Sequence, residues 1–429
     1  MGHEKNSFIQ EVVKHIKSNE AKRLVKDELA YHIKCSTEEW AQKGMSDEDA
    51  EKQAVKQMGS PIQLGMQFDK LYRPQVDWLM IILLGLALCF GFLSLIPAGY
   101  ISIPHYAVKK MLTILIGAAV ALGLMLVNYR ILKKYGFVYF GLGISILLAL
   151  QFLASRYIMG MPYLAIGPVR IESTMALPFL FLAWASFFEN NRMRLWQLAL
   201  LFFISLIILI PVSMLPTIIL YIVIVLAMLA RRLSRTFSFA KTAAILTAMI
   251  TIMSTGYYIQ MKNYVKMRFT AFLYPERDSE GFGYLYLHLR KALSSAGWFG
   301  QREHGDFLPE GHTDMAFVSI THYAGWLFAA ILLATLLFLA IRMAFILTMI
   351  HDSFGKMLVT GAVALFSAQV FYNIGMSIGL LPLTSVSLPF ISYGLMPTLI
   401  NAFIVGLVLS VYRRKDLPVH SAAPAKPLQ

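Results

Sequence analysis

Between Trp78 and Tyr412 the chain carries ten apolar runs, and this repetition limits the folds open to it more than any other feature. A helix needs about 20 consecutive apolar residues to cross a bilayer. The runs lie at roughly 78–98, 111–128, 136–155, 174–189, 195–211, 213–230, 237–260, 315–341, 356–378 and 394–412, most of them near that length. Hydrophobic residues make up 57% of the chain and charged residues 14%, which no soluble globular domain matches. The predicted fold is all-α: a polytopic membrane protein of about ten transmembrane helices, preceded by a small helical domain.

The formal charge is +14, yet its distribution excludes a nucleic-acid partner. Residues 1–75 hold twelve Lys/Arg and twelve Asp/Glu, so that segment is neutral. The excess sits in the membrane part, much of it in short loops. Arg130, Lys133 and Lys134; Arg192 and Arg194; Arg231, Arg232, Arg235 and Lys241; Arg342 and Lys356; and Arg413, Arg414 and Lys415 fall on one side. The other side's short loops carry only Lys109, Lys110, Arg156 and Arg170, and the loop at 379–393 has none. Such asymmetry places the basic side, and with it both termini, in the cytosol of a bacterial cytoplasmic membrane. Cys35 precedes the spans and Cys89 lies within the first, so no disulfide is expected. The polar opening residues show no cleavable signal peptide.

Three segments follow from this layout. Residues 1–75 form a cytosolic helical domain, residues 76–415 a ten-span membrane domain, and residues 416–429 a disordered cytosolic tail. In the first, Phe8, Val12, Val13 and Ile16 share a helical face, and Leu24, Leu29, Ile33 and Trp40 mark a second helix. Glu28 and His32 stand four apart, the spacing of a metal pair, but no second ligand pair lies near, and a solvated helix face explains them. The pattern DELAYHI…EEW…GMSDEDAEKQAVKQMGSP resembles the permease prefix domain, which implies a docking or regulatory role.

The single long loop, 261–314, faces outward on this topology. It is basic and aromatic, with Arg268, Arg290 and Lys291 beside Tyr264, Tyr274, Tyr284 and Trp298. A topology signal cannot explain a basic outer loop. Contact with lipid headgroups or with a phosphorylated, lipid-linked substrate can. The loop ends in DFLPEGHTDMAF, which gathers Asp306, Glu310, His312 and Asp314 into nine positions before an apolar span. A carboxylate at a span mouth is costly and is normally kept for contact with water, substrate or ion. A helix cap at Thr313 or Asp314 is the alternative.

Residues 307–317, FLPEGHTDMAF, resemble the LPE-x-HTD-F-x-F motif of the SEDS family, the proteins related to RodA, FtsW and SpoVE. Residues 373–394, NIGMSIGLLPLTSVSLPFISYG, resemble the same family's signature before its last span, and the ten-span plan agrees. The resemblance covers residues 76–415. It implies a peptidoglycan glycosyltransferase that polymerises lipid II, an undecaprenyl-pyrophosphate disaccharide-pentapeptide, in elongation, division or sporulation. It implies Asp314 as the essential carboxylate, with Asp306 matching a second acid of some members. Asp314 and Asp306 become candidate ligands of a divalent cation, Mg or Mn. Glu310, His312, Arg268, Arg290 and Lys291 become candidate substrate contacts. A class B penicillin-binding transpeptidase is the implied partner. The carboxylate can take the proton of the acceptor hydroxyl or hold the cation that steadies the pyrophosphate.

The chain also departs from the family pattern. Met161-Pro162-Tyr163 stands near the usual Gly-Ala-x-Arg-Trp, and Glu172-Ser173-Thr174-Met175 replaces Gln-Pro-Ser-Glu. Pro211-Val212 replaces Pro-Asp, His322-Tyr323 replaces Glu-Glu, and Gly394-Leu395 replaces Gly-Gly. The glycine-rich stretch is reduced to Gly297-Trp298-Phe299-Gly300. Polar groups expected to line a cavity are therefore lost. Two alternatives to catalysis stand: a non-catalytic paralogue that regulates wall synthesis, which these losses favour, and a flippase of lipid-linked precursors, which would need a polar path through the membrane and which the losses count against.

Overall fold

The computed structural model describes residues 3–95, 104–158, 161–166, 169–238, 240–244, 247, 249, 251, 263–301 and 311–417. Asp306, Glu310, most of the expected seventh span and the tail beyond residue 417 lie outside the described residues. The chain divides into two compact units, one of residues up to 76 together with those from 412 onward, the other of residues 77–411.

The first unit packs four helices, α1 (His3–Lys14), α2 (Asn19–Gln42), α3 (Asp47–Gln57) and α4 (Pro61–Tyr72). Ser18 caps α2 by accepting from the Ala21 N–H, and Ser46 caps α3 by accepting from Asp49 N–H. Pro61 opens α4, where its missing N–H is no loss. Gly44 and Gly59, at φ +92° and +78°, end α2 and α3. Phe8, Val12, Ile16, Val25, Leu29 and Ile33 form the core. His32 is exposed, as the solvated-face reading requires. Leu417 joins that core, and Arg414, almost wholly buried, donates from Nε and a second guanidinium nitrogen to the two Glu20 carboxylate oxygens at 2.8 and 2.9 Å. The start of the expected tail is therefore built into the N-terminal unit.

The second unit is a helical membrane fold. It contains α5 (Trp78–Leu93), α6 (Pro104–Leu126), α7 (Tyr129–Leu132), α8 (Gly136–Leu153), α9 (Leu177–Glu189), α10 (Leu195–Leu209) and α11 (Leu215–Leu233). Two loop helices, α12 (Asn263–Leu273) and α13 (Tyr284–Ser295), precede α14 (Ala316–Ala324), α15 (Trp326–Met349), α16 (Ser353–Ser377) and α17 (Leu395–Arg413). Among the described residues seven helices are long and apolar enough to span a membrane, and two shorter apolar ones lie at 78–93 and 173–189. In α17 and α16, 72% and 56% of the spanning window is buried, against 22–33% in the other five, so these two form the centre and the rest face lipid. Three short antiparallel strands, β1 (Arg156–Ile158), β2 (Met161–Ile166) and β3 (Val169–Ile171), pair in the order β1-β2-β3 where the sequence showed only a loop.

Two expectations are corrected. Lys110 is not a loop residue: α6 begins seven residues before the expected span, and Lys110 is buried within it. The expected span 315–341 is two helices, broken at Gly325 (φ +92°). Apolar residues run on through the break, so their periodicity hides it. The stretch 297–300 supplies the reason for it. The Gly297 and Trp298 carbonyls accept from the Trp326 and Leu327 N–H groups at 3.1 and 3.2 Å, capping α15 from outside. A Cβ on Gly325 would collide with the Trp298 carbonyl and the Gly300 nitrogen. Gly325→Ala is expected to lower stability by about 2–3 kcal/mol through this backbone strain. Thermal unfolding of the detergent-solubilised protein measures it, and an unchanged transition would show that the loop can yield.

Candidate functional site

Asp314 lies at the entry to α14 and is buried to 9% exposure. Its Oδ1 accepts from Ser387 Oγ at 3.3 Å. Its backbone is held as firmly. Asn373, fully buried on α16, donates its amide to the Asp314 carbonyl at 2.9 Å and to the Val386 carbonyl at 2.7 Å. Ser392 donates to the Thr313 carbonyl at 2.6 Å and accepts from Leu388 N–H at 2.8 Å. The Tyr393 N–H donates to the His312 carbonyl at 2.8 Å. The two sequence motifs, 307–317 and 373–394, are thus the two halves of one clasp with Asp314 between them.

The His312 ring packs against Tyr106 and Tyr393 with centroids 6.1 and 5.6 Å away. Burial pushes its imidazole below the ordinary histidine range. Its backbone carbonyl enters the clasp.

Asp314 opens into a cavity of about 390 Å³, within the range of small-molecule sites. The strands contribute Tyr163 and Arg170, and Glu172 follows β3; α16 and α17 contribute Gln369 and Asn401. Asn401 donates to Gln369 Oε1 at 2.9 Å, and both are nearly inaccessible to solvent. Polar residues therefore line the cavity, and Met161, Pro162 and Val212, from the motifs that depart from the family pattern, line it as apolar groups. Arg170 stands on β3 opposite Ala165 of β2, two strands that bring residues far from Asp314 in sequence to the same wall. Sequence reasoning treated Arg170 as a topology charge and passed over Glu172, Gln369, Asn401 and Ser387.

Arg268, on α12, and Arg290 and Lys291, on α13, are exposed and do not line this cavity. Helix α13 is tied to the clasp instead. Its Leu289 and Ala292 pack with Met315, Val318, Met376 and Leu383, and Tyr286 Oη accepts from the Leu383 N–H at 2.8 Å. His322, at the position of the expected acid pair, is buried, and its Nδ1 is 3.0 Å from the Ala292 carbonyl; it closes the end of α13. Asp306 and Glu310 lie outside the described residues.

A divalent cation can be tested against this lining. Among the described residues no group of three or more His, Cys, Asp or Glu side chains gathers. The donors beside Asp314 are oxygens, which suits Mg or Mn, and such ions take one or two carboxylates with the rest from water and substrate phosphates. The residues fit a cation shared with a phosphorylated ligand and do not fit a closed all-protein site.

The sequence model of the FtsW, RodA and SpoVE family, described as cell cycle protein, matches residues 77–417. A probable peptidoglycan glycosyltransferase FtsW of Trichlorobacter lovleyi is 30% identical over 170 residues, 38% of this chain and 45% of that one. The peptidoglycan glycosyltransferase MrdB of Escherichia coli is 31% identical over 167 residues, again 38% and 45%. The chain thus spans about half the length of these curated relatives. A probable peptidoglycan glycosyltransferase FtsW of Idiomarina loihiensis matches over 382 residues, 83% of this chain and 91% of that one, at 26% identity. Among solved structures, a chain from a peptidoglycan synthase complex coordinating polymerization and crosslinking superposes with a TM-score of 0.68 at 21% identity, covering 79% of this chain and 98% of that one. The rod shape determining protein RodA of Thermus thermophilus gives 0.59 at 20%, covering 79% and 97%.

Proposed function

The chain belongs to the FtsW, RodA and SpoVE family, and from that premise we propose that it is a peptidoglycan glycosyltransferase polymerising lipid II at the outer face of the bacterial cytoplasmic membrane. One observation carries this reading: Asp314 is buried, is held by Asn373 and Ser387 while Ser392 and Tyr393 hold Thr313 and His312 beside it, and still opens into the cavity. Asp314 takes the proton of the acceptor sugar hydroxyl as that oxygen attacks C1 of the donor sugar. The C1–O bond to undecaprenyl pyrophosphate breaks with inversion. Arg170 lies on the same cavity wall and balances charge on the leaving group. Asp314 would hold a Mg or Mn ion beside the substrate, and the ion when bound neutralises pyrophosphate charge.

The outer placement rests on charge. Helix α9 begins at the cavity with Leu177 and ends at Glu189, some thirteen residues or about 20 Å away. There Glu189 meets Lys133 and Arg235 at 3.4 and 3.2 Å, and Arg232 reaches the carbonyls that end the helix. The basic end of the fold is therefore opposite the cavity, which supports a cytosolic basic side and an external site. Replacing Cys35 and Cys89 and placing a single cysteine near Asp278 is expected to give labelling by an impermeant maleimide in intact cells. Labelling only after the membrane is opened would reverse the topology.

The non-catalytic reading draws on the missing polar residues; the lining by Arg170, Glu172, Gln369 and Asn401 speaks against it, and the apolar Met161 and Val212 in the same lining speak for it. The two are separated by purified protein with lipid II, with and without Mg or Mn, and with and without a class B penicillin-binding transpeptidase as partner. Glycan polymer is the expected product. No polymer under any of these conditions would favour a regulatory paralogue.

A further inference from the structure

We propose that Lys110 is a positioning residue that shapes the 387–393 turn and through it holds Asp314. Lys110 lies on α6 with 1% exposure. Its ammonium donates to three successive carbonyls, those of Phe390, Ile391 and Ser392, at 3.3, 3.0 and 3.0 Å. Three donors thus meet three acceptors on one turn. Consecutive carbonyls do not ordinarily converge on one point. Here Phe390 takes φ +64°, the one positive value at a non-glycine position among the described residues. Helix α5 closes the other side: a Cβ on Gly91 would collide with the Phe390 carbonyl and stand 3.1 Å from the Lys110 Nζ.

The same turn carries every second-motif group beyond Asn373 that grips the acidic segment. Ser387 donates to the Asp314 carboxylate, Ser392 to the Thr313 carbonyl, and the Tyr393 N–H to the His312 carbonyl. A buried charge inside a membrane helix is expensive and calls for a role. A neutral side chain could fill the space, but it could not draw three carbonyls together. The kinetic arm of this inference rests on the glycosyltransferase reading; the structural arm does not.

Amide hydrogen exchange on the full-length protein in detergent tests it. Lys110→Met is expected to raise exchange at least tenfold in peptides covering 386–394 and 311–316, with peptides covering 177–189 within twofold of wild type. In lipid II polymerisation kcat should fall roughly ten- to a hundredfold with KM within twofold, and Lys110→Arg should recover part of kcat. Should Lys110→Met not fold, Lys110→Gln, which keeps a donor amide, is read by the same criteria. Gly91→Ala, which presses on the Phe390 carbonyl while leaving Lys110 in place, should give the same local pattern. Unchanged exchange in both segments would overturn the proposal, as would a raised KM with kcat intact. A wild-type protein that makes no polymer would sink the glycosyltransferase reading alone, and exchange would still decide the role of Lys110.

Discussion

Asp314→Asn is expected to reduce lipid II polymerisation by ~10²–10⁴-fold, the range a general base supplies, while the protein inserts and folds normally. The substitution keeps the size of the side chain and keeps an oxygen to accept from Ser387 at Oδ1. The backbone carbonyl that Asn373 holds is untouched. What disappears is the charge, and with it both the capacity to take a proton and the ligand for a cation. A structural role predicts the opposite result. Asn serves as a cap or hydrogen-bonding group nearly as well as Asp, so a merely structural Asp314 would be replaced by Asn at little cost. Polymer yield and thermal unfolding are therefore measured on the same preparation. Wild-type-like synthesis by the variant would exclude Asp314 as the base.

The legible parts of this fold are those written in local pattern. Apolar runs marked most of the spans, and two motifs marked Asp314, because both signals lie within about twenty neighbouring residues. The clasp between the motifs was not legible, since its hydrogen bonds join residues 59 to 81 apart and nothing local announces the pairing. The cavity wall was missed for a different reason. Strands β1 to β3 are three to six residues long and sit in what reads as a short polar connection, so Arg170 looked like a loop charge. Lys110 was misread because a lysine at an apolar boundary ordinarily marks a helix end, whereas here three carbonyls from a distant turn satisfy it. Gly325 left the period of apolar residues intact. In each case a long-range polar partner decided the outcome, which a single sequence cannot reveal by periodicity.

Asn373→Ala is expected to be the most damaging change that leaves every cavity-lining side chain in place. Asn373 has no solvent exposure, and its one amide nitrogen bridges the Asp314 and Val386 carbonyls, one on each side of the clasp. Alanine removes both donations and leaves a small void in a region already closed by Met315, Val318 and Met376. Losing the donor to a buried carbonyl costs about 1–3 kcal/mol, so two such losses give about 2–6 kcal/mol. The void adds to this. Asn373→Asp separates packing from donation, because it preserves volume but offers oxygens to two carbonyls and sets a charge near Asp314. If donation is what matters, Asp should destabilise at least as much as Ala, and both should lower kcat more than they raise KM. If volume is what matters, Asp should be tolerated and Ala alone should suffer. Melting transitions of the two variants, read beside their polymerisation rates, distinguish the cases.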